Sequence, residues 1–126
     1  MSSPIVSVII PTYNRKNLAK LAITSAIEQD YNDFEIIVIE DGSESGIKEW
    51  LRDQNSERIR YYNNGINLGL SPSRNRGVEL AEGKYVAFLD DDEAWLPRKI
   101  SAQMALVSAK ESEDVVVTCG TCFFKD

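Results

Sequence analysis

The sequence predicts an α/β fold of Rossmann-like type: a mostly parallel sheet with helices on both faces. Three observations carry this. Nearly unbroken apolar runs stand at Ile5 to Ile10, Phe34 to Ile39 and Tyr85 to Leu89, as expected of strands covered on both sides. Between them lie segments whose apolar residues recur at three and four positions, the spacing of one helix face. Strand and helix alternate, and such alternation winds a parallel sheet through right-handed crossovers.

Each element has its own signal. The first strand, Ile5 to Ile10, is rich in β-branched residues and closed by Pro11. A helix follows from Arg15 to Gln29, with Leu18, Leu21, Ala22, Ser25 and Ala26 on one face. Phe34 to Ile39 is the second strand, and a short helix forms around Ile47, Trp50 and Leu51. A weaker strand spans Arg58 to Asn63. The loop Gly65 to Gly69 then leads to Ser71-Pro72, read as an N-cap and first helical residue. That helix runs to about Ala81 and stops near Gly83. Tyr85 to Leu89 is a further strand, and Pro97 opens a helix in which Ile100, Met104 and Val107 share a face. Asp114 to Thr118 reads as one more strand. No helix follows to cover it, which predicts a portion of a longer catalytic domain.

Composition narrows the function. A chain of 126 residues makes one domain, at ~100 to 200 residues per domain. The net charge of -6 supplies no basic field for nucleic acid or anionic lipid. No apolar run approaches the ~20 residues that span a bilayer, and Met1 to Pro4 does not open a signal peptide. The cytosol is therefore the expected compartment, any peripheral membrane association being left to segments outside these residues. Cys119 and Cys122 are too few for a disulfide scaffold. Their spacing matches a redox dithiol, but no helix follows to lower a thiol pKa and no second pair completes a zinc site, so neither role is expected. Histidine is absent, so acid-base or metal chemistry must use carboxylates.

Ligands of open parallel sheets bind beyond the carboxyl ends of the strands. Three such ends deliver Pro11-Thr12-Tyr13-Asn14-Arg15, Glu40-Asp41-Gly42-Ser43 and Asp90-Asp91-Asp92-Glu93. Four consecutive acids repel one another unless a cation compensates. Carboxylates alone select a hard ion, Mg²⁺ or Mn²⁺, shared with substrate phosphates, which makes a nucleoside diphosphate the natural ligand in preference to a merely solvated turn. Asp41 is either a turn former that caps the next helix or an acceptor for a nucleobase N–H or ribose hydroxyl; its strand-end position favours the second. Arg74, Asn75 and Arg76 open a helix, where free N–H groups attract an anion. An arginine there faces either the nucleotide or an acid such as Glu79 or Glu82. Trp95 and Pro97 read as a wedge and a helix start. No glycine-rich dinucleotide fingerprint or phosphate loop is present.

Four motifs in order, Val6-Ser-Val-Ile-Ile-Pro-Thr-Tyr-Asn-Arg15, Phe34-Glu-Ile-Ile-Val-Ile-Glu-Asp-Gly-Ser43, Asn67-Leu-Gly with Ser73-Arg-Asn-Arg-Gly77, and Tyr85-Val-Ala-Phe-Leu-Asp-Asp-Asp-Glu-Ala-Trp-Leu-Pro97, resemble those of family 2 inverting glycosyltransferases. The resemblance covers Pro4 to about Val117. It implies a glycosyltransferase A fold that moves a sugar from a UDP-, GDP- or dTDP-linked donor to a hydroxyl of a glycan or lipid-linked acceptor, with inversion and with Mg²⁺ or Mn²⁺. By position it implies that Pro11, Thr12, Tyr13, Arg15, Asp41, Arg74, Asp90 and Asp91 meet the nucleotide, Thr12 and Tyr13 bordering the base and Asp41 bonding it. Asp92, with Asp90, would contact the metal. Glu93 stands where Asp is common, a longer carboxylate that alters the surroundings of the metal site without removing it.

The general base that deprotonates the acceptor is expected beyond Asp126. Residues 1–126 are thus expected to form the nucleotide-sugar-binding portion of one glycosyltransferase domain, inactive alone. Three other readings compete with this one. A sugar-phosphate nucleotidyltransferase would carry a glycine-rich loop where Pro11-Thr-Tyr-Asn14 stands. A receiver domain would carry acids after the first strand, which has none. A non-catalytic nucleotide- or metal-binding module stays open.

Overall fold

The computed structural model describes residues 4–110 and 114–121. Its elements are β1 (Val6–Thr12), α1 (Lys16–Ile27), β2 (Phe34–Glu40), α2 (Ile47–Asp53), β3 (Ile59–Asn63), α3 (Leu70–Leu80), β4 (Tyr85–Phe88) and α4 (Lys99–Ser108). The strands form one parallel sheet in the order β3-β2-β1-β4. Every residue of β1 and β2 is buried, as their unbroken apolar runs require.

Val8, Ile10, Ile36 and Val38 pack on one face of the sheet with Ala22 and Ile23 of α1, Ile47 of α2 and Ile100 of α4. Ile9, pointing the other way, lies under α3: a Cβ on Gly77 would stand 2.4 Å from its Cγ2. Helices therefore cover both faces, as expected.

β1 continues through Pro11 instead of stopping before it. Phe88, the last residue of β4, pairs with Ile9, and the Leu89 N–H donates to the Ile9 carbonyl. Pro11, two residues on, faces the same side, where β4 has already ended, so its missing donor leaves no ladder bond unmade.

Four expectations need correction. Leu18 and Leu21 do not face the sheet; they are 45% and 65% exposed, while Ala19, Ala22, Ile23 and Ala26 are buried. Small alanines let the helix axis approach the strands, and the leucines turn outward. α3 starts at Leu70 with Gly69 at its cap, so Ser71 is not the N-cap. Pro72 then sits in the first turn, where the N–H it lacks has no intrahelical partner. α4 starts at Lys99, with Arg98 at its cap and Pro97 just before it. Asp114 to Thr118 is not a strand. Apolar β-branched residues make a strand only where a sheet edge pairs with them, and this segment joins none.

Candidate functional site

Because the strands run parallel, the carboxyl ends of β1, β2 and β4 open on one edge. A cavity of about 360 Å³ lies there, lined by Pro11, Thr12, Tyr13, Arg15, Asp41, Asn67, Gly69, Leu70, Ser73, Asp90, Asp91 and Asp92. It gathers every residue assigned above to the nucleotide or metal except Arg74. A second cleft, of about 400 Å³, lies between α2 and β3 and holds none of them.

The four acids after β4 divide by role. Asp91 turns inward and is 8% exposed. Its Oδ2 accepts from the Thr12 hydroxyl at 2.9 Å, and its Oδ1 lies 3.4 Å from Arg15 Nη1. The same guanidinium nitrogen stands 3.5 Å from Asp92 Oδ2. Asp90, Asp92 and Glu93 each offer one carboxylate oxygen, and these oxygens lie within 4.8 Å of one another. Glu93, read from sequence as an influence on the surroundings of the metal, thus stands in the acidic cluster itself.

Arg74 settles the question left open for its helix turn. Its Nη2 donates to Asp90 Oδ1 at 2.7 Å, whereas Arg76 pairs with Glu79 at 3.4 Å on the exposed side. Among the described residues, the buried Arg74 Nε has no hydrogen-bond partner. Arg74 reaches the cavity through Asp90 and does not line it.

Asp41 does not cap the helix that follows it. Its Oδ1 accepts from the Leu68 N–H at 2.8 Å and the Asn64 amide at 2.9 Å, and its Oδ2 accepts from the Gly69 N–H at 2.9 Å. Burial pushes its carboxyl up, but these donors outweigh it and hold the group below its ordinary value. The loop from Asn64 to Gly69 is thereby pinned over the end of β2. Each carboxylate oxygen has two lone pairs, so Asp41 can brace the loop and still accept from a ligand. Gly42 explains the close fit: φ is +82°, and a Cβ there would stand 2.3 Å from the Ile66 carbonyl carbon.

Sequence reasoning missed Asn67, Gly69, Leu70 and Ser73 as lining residues. The glycine-rich loop before α3 was the available signal. Ser73 is fully buried, donates its hydroxyl to the Gly69 carbonyl at 2.9 Å and accepts from the Asn64 amide at 3.0 Å. Cys119 is exposed, and Cys122 lies outside the described residues.

Residues 7–126 match the model of the family described as glycosyl transferase family 2. The chain belongs to that family. Relatives agree with the family assignment. A glycosyl transferase named for colanic acid biosynthesis in Escherichia coli (strain K12) is 38% identical over 106 residues, covering 82% of this chain and 38% of that protein. The GalNAc(5)-diNAcBac-PP-undecaprenol beta-1,3-glucosyltransferase of Campylobacter jejuni is 35% identical over 125 residues, covering 97% of this chain and 39% of that protein. The family 2 chain thus spans about two fifths of the length of these relatives.

Solved structures place its fold among glycosyltransferases of the A type. S. aureus TarS 1-349 in complex with UDP-GlcNAc superposes with a TM-score of 0.76 at 26% identity, covering 83% of this chain and 31% of that one. The mannosyltransferase PcManGT from Pyrobaculum calidifontis, in complex with GDP-Man and Mn²⁺, gives 0.74 at 25% identity, covering 88% and 34%. Among the described residues of this family 2 chain, no helix is long and apolar enough to cross a membrane.

Proposed function

We propose that this chain is the donor-binding portion of an inverting, metal-dependent glycosyltransferase that takes a sugar from a nucleoside diphosphate and delivers it to an acceptor hydroxyl. One observation carries the reading: a single cavity receives polar groups from the ends of β1, β2 and β4 and from the start of α3. The nucleotide sugars in the TarS and PcManGT complexes support it.

Within the cavity, Thr12 and the half-exposed Tyr13 border the base and Asp41 accepts its N–H or a ribose hydroxyl. Pro11, Arg15, Asp90 and Asp91 line the nucleotide, and Arg74 acts on it through Asp90. Asp90, Asp92 and Glu93 offer oxygen only, a donor set that fits Mg²⁺ or Mn²⁺. Such an ion, when bound, supplies Lewis-acid stabilisation of the charge on the departing diphosphate. Arg15 adds a fixed positive charge beside the same phosphates.

Deprotonating the acceptor needs a positioned base within hydrogen-bond reach. We place that base, and the surface that receives a glycan or lipid-linked acceptor, in sequence outside these residues, so the 126 residues alone bind donor without transferring sugar. We assign the protein to the cytosol, with membrane association left to other segments.

Thermal unfolding with UDP, GDP and dTDP, each with and without Mn²⁺, tests the reading. One nucleotide should raise the melting temperature, and more so with Mn²⁺; binding at a hundred times Kd adds about 2.7 kcal/mol to the native state. Indifference to all three with the metal present would overturn it.

A further inference from the structure

Beside the cavity lies a buried carboxylate that the proposed donor binding does not use. Glu40, the last residue of β2, is 1% exposed. Its Oε1 accepts from the Tyr61 hydroxyl at 2.6 Å. Its Oε2 accepts from the Ser43 hydroxyl at 2.7 Å and from the Ser45 hydroxyl and N–H at 2.6 and 3.1 Å. Burial favours the neutral acid, yet these bonds outweigh it and keep the carboxyl below its ordinary value.

The bonds continue to the cavity. Ser43 Oγ accepts from the Asn14 N–H at 3.1 Å. Asn14 holds a left-handed backbone, φ 51°, between Tyr13 and Arg15, both of which line the cavity. A hydroxyl has one proton. An acceptor-only Glu40 takes that proton and so leaves the Ser43 lone pairs for Asn14. Asn63 steadies the same group, its amide donating to the Ser43 carbonyl at 2.8 Å and the Tyr61 hydroxyl at 3.2 Å.

We propose that Glu40 is a positioning residue for the donor nucleotide: by orienting the Ser43 hydroxyl it holds the Tyr13–Arg15 turn in its binding shape. This rests on the nucleotide reading above. It requires no contact between Glu40 and the ligand, and it makes Glu40 and Ser43 one unit acting on Asn14.

The test uses the full chain and its variants Glu40→Gln, Ser43→Ala, Ser43→Thr and the double variant Glu40→Gln/Ser43→Ala. Titration calorimetry with UDP, GDP and dTDP plus Mn²⁺ reads affinity at a temperature where each protein is folded. Glu40→Gln and Ser43→Ala should each weaken the nucleotide that binds by about tenfold. Ser43→Thr, which keeps the hydroxyl, should restore it, and the double variant should be no weaker than Ser43→Ala, because both cut one link. Variants that are less stable yet bind as the parent does, or losses that add, would overturn the inference alone. A parent chain that binds no nucleotide overturns the functional reading and this inference with it. If Glu40→Gln does not fold, the Ser43→Ala and Ser43→Thr pair decides.

Discussion

The Thr12 hydroxyl and the Asp91 carboxylate, 79 residues apart in sequence, meet at 2.9 Å. This bond ties the end of β1 to the turn after β4. It also points Asp91 inward, which leaves Asp90, Asp92 and Glu93 to form the outward cluster.

Thr12→Val keeps the side-chain shape and removes that donor. Among the described residues, Asp91 would then be a nearly buried carboxylate held by Arg15 alone, and the cost should be about 1–3 kcal/mol. Urea unfolding measures the loss. Unchanged stability would mean that the bond does not hold the turn.

Asp92→Ala should abolish the extra stabilisation that Mn²⁺ gives to a bound nucleoside diphosphate. Arg15→Met should act in opposite directions on the two ligands. With Arg15 gone from its place 3.5 Å from Asp92, Mn²⁺ alone binds tighter, while the nucleotide binds more weakly. Electron paramagnetic resonance of free Mn²⁺ reads the first effect and calorimetry the second; weaker binding of both would refute the competition.

Acid should expose the Asp41 brace. The folded carboxyls of Glu40 and Asp41 both lie below their ordinary values, so the unfolded chain takes up protons first as pH falls. Their contribution is complete above the ordinary carboxylate range, about pH 4, and is lost as pH falls through the folded values. Unfolding free energy should therefore drop below about pH 4, and less steeply in Asp41→Asn. Equal slopes in parent and variant would remove Asp41 from the account.

Gly77→Ala should destabilise the chain by about 1–3 kcal/mol. The added methyl would stand 2.4 Å from Ile9 Cγ2, in the contact between α3 and the sheet. Ile9→Val in the same background trims a different carbon of that side chain, so it should recover little, whereas Ile9→Ala, which removes Cγ2, should relieve the clash at the cost of a cavity. Melting temperatures of the three variants check this.

β1, β2 and β4 were legible because each is a local apolar run, β3 gave a weaker signal, and the edge that bears the site followed from their parallel order. The acids of that edge were legible as a group. Their division was not: Asp91 and Asp92 are adjacent, and Thr12 at the end of β1 and Arg15 just before α1 decide which faces inward. Arg74 likewise could have met the nucleotide, Glu79 or Glu82, and the packing of α3 on β1 and β2 brought it instead to Asp90, after β4. The outward leucines of α1 misled for a related reason, since periodicity ranks large apolar residues first, whereas close approach to a flat sheet selects alanine.

The sequence by itself determined the fold class, the strand ends that carry polar groups and the carboxylate chemistry available there, because these depend on residue type and spacing within short windows. The tertiary structure alone decided which carboxylate braces a loop, which pairs with an arginine and which remain to face a ligand. Those choices are hydrogen bonds between distant segments, and their partners come within reach only after the sheet has closed.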